Sequence, residues 1–115
     1  MAIYADLYVD QGSTFASVVF ITNANELPLD ISTYTVRGQL RKSYSSTTGV
    51  KFTTTKNNNA NGEAEISLTA EQTSALKAGR YVYDVEIISS SGAVTRVVEG
   101  QLTVTPRVTQ PSDYL

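Results

Sequence analysis

Asp84 and Glu86 are the residues with the plainest chemical possibility in this sequence. Two apart in a strand-like run, they share one face. Paired carboxylates can divide acid and base roles when a closed pocket drives their pKa values apart. The same spacing also describes a solvated strand face whose charges pair across to Arg37, Arg41 or Arg96. We adopt that second reading, since exposed pairs of this kind are common and contribute only about 0.2–1 kcal/mol. The chain contains no histidine and no cysteine. This removes the commonest general base, a thiol nucleophile and the usual ligands of zinc together. Serines and threonines are numerous, yet none lies in a Gly-x-Ser-x-Gly elbow, and glycine-rich phosphate loops are absent. The residues therefore point away from an enzyme and imply no cofactor.

Oxygen-bearing loop residues come next. Asp10, Asn23, Asn25, Glu26 and Asp30 could gather around calcium at one end of a small domain. Their spacing is not that of an EF-hand, and turn formation uses the same residue types without a metal. No metal site is expected. Seven tyrosines invite a sugar-binding reading, but Tyr4, Tyr8, Tyr34, Tyr44, Tyr81, Tyr83 and Tyr114 do not cluster. Tyr81 and Tyr83 share an apolar face and read as core residues with hydroxyls at its edge. Tyr44 lies in a Ser/Thr loop and is the best exposed aromatic, a candidate contact anchor.

The element that must hold such residues in place is the run Gly79–Ile88. Tyr81, Tyr83, Val85 and Ile87 alternate with Arg80, Asp84 and Glu86, the pattern of a strand with one face in a core. Earlier strands are expected at 3–9, at 14–22, at 34–42 around a mid-strand Gly38, at 50–54 and at 64–68. The 14–22 strand is apolar on both faces, so it is either covered twice or in contact with another chain. Gly38 implies a bulge or a close neighbour. Pro28 puts Leu27–Ile31 at an edge or a crossing, with its Leu and Ile side chains plugging the core. Lys56–Gly62 reads as a loop. Thr69–Gly79 is the one helical passage, with a Thr69/Gln72 capping box, Gly79 as its stop, and Leu76 with Ala75 as its docking residues. A last strand or strand pair fills 93–105, bent at Gly100 and stopped by Pro106.

Seven to eight short strands with turns between them, and one short helix, predict an all-β fold, an immunoglobulin-like β-sandwich. A partly open barrel is the rival architecture. With 115 residues the chain supports one core, and 41% hydrophobic content suits a globular domain. We place the sandwich at 1–106 and an extended tail at 107–115. The net charge is −2 and the nine Lys and Arg are dispersed, unlike a nucleic-acid footprint. No apolar run approaches the ~20 residues of a membrane span. The start lacks a signal-peptide pattern, and cysteine-free composition fits a reducing cytosol.

Several stretches together resemble small structural proteins of tailed bacteriophages and prophages, which have an Ig-like domain similar to the N-terminal domain of baseplate upper proteins. They are Asp10–Phe15, Leu27–Arg37, Gly62–Leu76, Gly79–Glu86 and Val94–Pro106, in order along almost the whole chain. The resemblance implies a non-enzymatic virion protein, assembled in the host cytoplasm. Its partners would be other virion proteins of the tail, neck, baseplate or capsid, met in multiple copies within a symmetric assembly. In the larger relatives a receptor-binding region follows this domain, whereas here nothing substantial follows Pro106. The expected role is thus a tail, neck or baseplate subunit or adaptor, with a capsid decoration protein as the alternative. A carbohydrate-binding module is a third reading.

The tail residues Arg107, Val108, Tyr114 and Leu115 join Tyr44 as candidate interaction residues. Extended, the tail would reach about 25–30 Å and order on a neighbour. A frayed terminus is the other reading of the same residues. The facing of the central strand is directly testable by thermal melts. Val85→Asp should unfold the domain by burying an unpaired charge, and Glu86→Ala should be nearly silent.

Overall fold

The structure, a computed structural model, describes residues 2–110 and Asp113. Two sheets pack face to face. Their strands are β1 (Ile3–Tyr4), β2 (Leu7–Asp10), β3 (Phe15–Phe20), β4 (Thr35–Arg41), β5 (Val50–Lys51), β6 (Thr53–Asn58), β7 (Glu63–Leu68), β8 (Gly79–Ile88) and β9 (Val94–Thr105). The larger sheet orders them β1-β9-β8-β4-β5, with β2 also on β9, and the smaller orders β3-β7-β6. One helix, α1 (Ala70–Ala75), joins β7 to β8. The expected all-β, immunoglobulin-like sandwich with one short helix is the fold observed. Its first two strands, β1 and β2, lie parallel to its last, β9, and the β9–β8 and β8–β4 pairings are antiparallel.

β8 sits between β9 and β4 and is paired along nearly its whole length. Tyr81, Tyr83, Val85 and Ile87 are buried, as their alternation requires. They meet Val19, Ile66 and Leu68 of the smaller sheet, with Ile21 and Ile31 closing the core. The strands on either side of β8 each present a glycine to the core. Gly38 of β4 lies opposite Val85, and Gly100 of β9 lies opposite Tyr83. Each gap is filled from elsewhere. The Phe52 ring covers Gly38, with its Cδ2 3.2 Å from where a Cβ would stand. The Ala5 carbonyl covers Gly100 so closely that a methyl there would overlap it. The Tyr83 hydroxyl donates to that same Ala5 carbonyl.

These two fillings explain where the chain departs from the sequence reading. The expected strand 3–9 is broken at Ala5–Asp6, where the chain dips over Gly100. The Asp6 carboxylate then accepts the Gln101 N–H at 3.2 Å, and the register resumes unchanged in β2. Gly100 does not bend β9, which runs through it; the irregularity in β9 lies at Val97 instead, between the Val85↔Val98 and Glu86↔Arg96 pairs. The expected strand 50–54 is two strands in different sheets, and Phe52 is the crossing point. Its N–H donates to the Gly38 carbonyl at 3.0 Å, and the Thr54 hydroxyl donates to the Val36 carbonyl at 2.9 Å. Gly38 therefore marks a close neighbour, and no bulge interrupts β4.

Lys56–Asn58, expected in a loop, belong to β6 and pair with β7 on both sides of a bulge between Lys56 and Asn58, Lys56 with Ala64 and Asn58 with Glu63. Ile31 is buried but Leu27 is exposed, so only part of that segment plugs the core. The capping box forms in full at Thr69 and Gln72. The helix stops before Gly79, which instead opens β8 at φ 139°. Ala75 is exposed, and the buried docking residues are Leu76 and Thr73. The Thr73 hydroxyl accepts the Gly12 N–H at 3.0 Å and donates to the Ser13 carbonyl at 2.8 Å, pinning α1 to the β2–β3 turn.

The Tyr83–Ala5–Gly100 contact generates a paired expectation. Tyr83→Phe should cost about 0.5–1.5 kcal/mol, and hydrogen exchange should show faster exchange at the Ala5 amide, which bonds the Glu99 carbonyl. Gly100→Ala should cost about 1–3 kcal/mol by overpacking, read as a lower midpoint in denaturant with an unchanged slope.

Candidate functional site

The outward face of the larger sheet is a lattice of charge. β4 contributes Arg37, Gln39 and Arg41, β8 contributes Val82, Asp84 and Glu86, and β9 contributes Arg96 and Glu99. Strand pairing sets them in rows. One row runs Arg37, Glu86, Arg96, and the next runs Lys51, Gln39, Asp84, Glu99, Tyr4 across five strands. Asp84 thus faces Glu99 directly, a like-charge pair that costs stability in a sheet. The Val97 bulge answers it by turning Arg96 onto this face. Its guanidinium lies 3.3 Å from Asp84 and 3.7 Å from Glu99. Arg37 meets Glu86 at 2.8 Å. Arg41, expected as a carboxylate partner, instead donates to the Gln39 side chain and to the Ser46 carbonyl.

That Ser46 contact fixes the 43–46 turn, whose backbone is closed by Ser46 N–H to Ser43 carbonyl. The turn lifts Tyr44 above the lattice, and the residue is 82% exposed. Tyr44, Arg41, Gln39, Asp84, Arg96 and Glu99 line a concavity of about 620 Å³ on this face. Burial, and after it the nearby Glu86, raises Asp84 above its ordinary value, while Arg96 pulls the other way. The concavity is open and its carboxylates are matched to guanidinium groups. Such a floor suits hydrogen bonding to a polar surface or ligand more than proton transfer to a bound substrate. Burial also pushes the Tyr83 hydroxyl up to about 12, which keeps it a donor to Ala5.

The oxygen-bearing loop residues do not converge. Asn23 accepts the Asn25 and Leu27 N–H groups within its own turn, Asp30 accepts that of Ser32, and Asp10 accepts the Thr105 hydroxyl. Among the described residues no three acidic, His or Cys side chains gather as a metal site. The tail candidates separate. The Arg107 N–H donates to the Gln11 side chain at 3.0 Å, and its guanidinium lies over Gly12 and 3.5 Å from the Ser74 hydroxyl. The same Gln11 donates to the Leu76 carbonyl at 2.7 Å. Arg107 is thereby held on the body of the domain, whereas Val108 is 93% exposed. Tyr114 and Leu115 lie outside the described residues.

A second surface lies on the smaller sheet. β3 is an edge strand, and among the described residues no strand pairs with its outer side. Its outward residues are Ala16, Val18 and Phe20, of which Val18 is 42% and Phe20 61% exposed. The strand apolar on both faces is therefore covered on one face alone within this chain. Sequence reasoning found the apolar row but had no way to tell that it stood at an edge.

No protein-family model matches the sequence, and no curated protein sequence matches it. Solved structures do. An internalin-like protein of Listeria monocytogenes is 23% identical over 90% of this chain, with a TM-score of 0.45. This chain spans 28% of that one's length. CopC from Methylosinus trichosporium OB3b is 15% identical over 92% of this chain and 89% of its own, with a TM-score of 0.47. Likeness of this degree carries no functional information.

The raised pKa of Asp84 fixes the sign of a pH effect. Folding favours its protonated form, so that contribution is full below the ordinary value of 3.8 and is lost as pH rises through the raised one. Asp84→Asn, neutral throughout, should melt above the wild type at neutral pH. The difference should vanish in melts below pH 3.8.

Proposed function

We propose that this chain is a non-enzymatic structural subunit of a tailed bacteriophage particle, in the tail, neck or baseplate, acting through contacts with other virion proteins. The observation that carries the contact role is the free edge of β3, six residues without a charge, a proline or a bulge. Edge strands left in that state are templates for pairing with another chain, and proteins that work alone commonly blunt them. The placement on a phage particle is supported by the in-order sequence resemblance to Ig-like phage proteins. A capsid decoration subunit is the alternative position on the same particle and would use the same edge.

A second reading draws on Tyr44. An exposed ring above a floor of Arg, Gln and carboxylate groups is also what a sugar ring needs, stacking on one side and hydrogen bonds on the other. On a glycan array, binding that is lost in Tyr44→Ala would favour this reading.

The virion assignment is decided by mass spectrometry of purified particles, followed by labelling and electron microscopy. The chain is expected in stoichiometric, many-copy amounts at one structural level of the particle. Its absence from washed particles that retain their other structural proteins would overturn the assignment.

A further inference from the structure

The four sheet edges are not alike. β5 is two residues long and carries Lys51. β6 carries Lys56 and a bulge. The β1–β2 edge is broken at Ala5–Asp6 and carries Asp6 and Asp10. All three show the devices that stop sheets from joining. β3 shows none, and its six residues Phe15–Phe20 are all uncharged.

We propose that a second copy of this chain pairs with β3 antiparallel, across a two-fold axis centred on Val18, making one continuous sheet from two small ones. This proposal rests on the reading of the chain as an assembly subunit and names the partner. The backbone supports it. The Ile21 N–H donates to the Gly62 carbonyl at 2.8 Å, on the β7 side. By strand alternation the odd-numbered residues of β3 bond to β7, and Ala16, Val18 and Phe20 point their N–H and C=O groups to the free edge. A two-fold perpendicular to the sheet keeps core sides together, so inward residues meet inward ones. Three centres then satisfy the pleat. A Ser17 centre leaves Phe20 opposite Thr14, and a Val19 centre leaves Ala16 opposite Thr22. The Val18 centre sets Val18 against itself and Phe20 against Ala16, the largest outward side chain against the smallest, on both sides of the axis. Every outward apolar residue then faces another.

Charge selects the same partner. Two copies meeting at β6 would bring a lysine-bearing edge against itself, and two meeting at β1–β2 would oppose aspartates, which destabilises strand pairs. β3 meets its copy without any such cost. An edge this short buries less than the ~1,000 Å² of a lasting free-standing interface. The pairing is therefore weak in dilute solution and gains strength where copies are held together.

The absence of native cysteine makes the test clean. Val18→Cys places two thiols on Cα atoms about 5.5 Å apart in such a pair, inside disulfide reach. On mild oxidation it should form a covalent dimer at least about tenfold faster than the exposed Thr55→Cys control on β6, the gain expected of a local concentration above bulk. Ala16→Cys alone should stay as slow as the control, and Ala16→Cys combined with Phe20→Cys should cross-link. Val18→Lys should retain the wild-type melting profile and abolish the concentration-dependent dimer in sedimentation. Val18→Cys cross-linking no faster than Thr55→Cys overturns the proposal, and so does equal cross-linking of Ala16→Cys alone. The two readings fail separately. A particle protein that does not cross-link removes only the self-pairing, and a cross-linking protein absent from particles removes only the virion assignment.

Discussion

Two sheets without a covalent tie between them must be held by what fills the gap, and here the filling is organised around β8. Its four inward side chains would leave hollows on either side, because both neighbouring strands offer glycine to the core. The hollows are closed by pieces of chain arriving from outside the strand order, the Phe52 ring over Gly38 and the Ala5 carbonyl over Gly100. Phe52 then stacks edge-on to Tyr83 at 6.2 Å between centroids and approaches Phe15 at 6.4 Å. One aromatic thus touches β8, β4 and β3 at the point where the backbone passes between layers. Many sandwiches use a disulfide and a tryptophan at this depth; this one uses two absences of side chain and the segments that occupy them.

The two outer faces follow from that core by opposite routes. On the larger sheet, strand pairing brings Asp84 against Glu99, and a bulged strand supplies the arginine that neutralises the contact. The result is a surface whose charges are largely answered from within. On the smaller sheet the apolar row of β3 is answered by nothing in the described chain. The polar pole is tied separately: Gln11 joins the first turn, the end of α1 and Arg107 through one amide side chain. A charged face answered by its own ion pairs and the unblunted β3 edge are thereby segregated on different sides of a small domain.

Much of this was legible from local pattern. The alternation of Tyr81, Tyr83, Val85 and Ile87 fixed the central strand and its facing, and Thr69 with Gln72 marked the helix start because a capping box is written in adjacent residues. Tyr44 could be read as exposed from its polar surroundings. What stayed hidden depended on partners distant in the chain. The break at Ala5–Asp6 is caused by Gly100, the sheet change at Phe52 by Gly38, and neither glycine shows by its own spacing what will cover it. Lys56–Asn58 have turn-forming side chains, yet pairing with β7 overrides that preference. Arg96 reaches the carboxylate lattice through a one-residue bulge that moves it off its alternation parity.

The parallel pairing of β2 with β9 has a mechanical consequence. β2 continues the opening edge begun by β1, β9 is the last strand, and they run the same way. Tension drawing the two ends of the domain apart acts along their common axis, so it loads all the Leu7–Asp10 bonds to Leu102–Thr105 simultaneously, in shear. An antiparallel hairpin under the same load would unzip one rung after another. A chain with no disulfide can in this way behave as a stiff link under stretching, resisting force through the direction of its strands and not through the depth of its core.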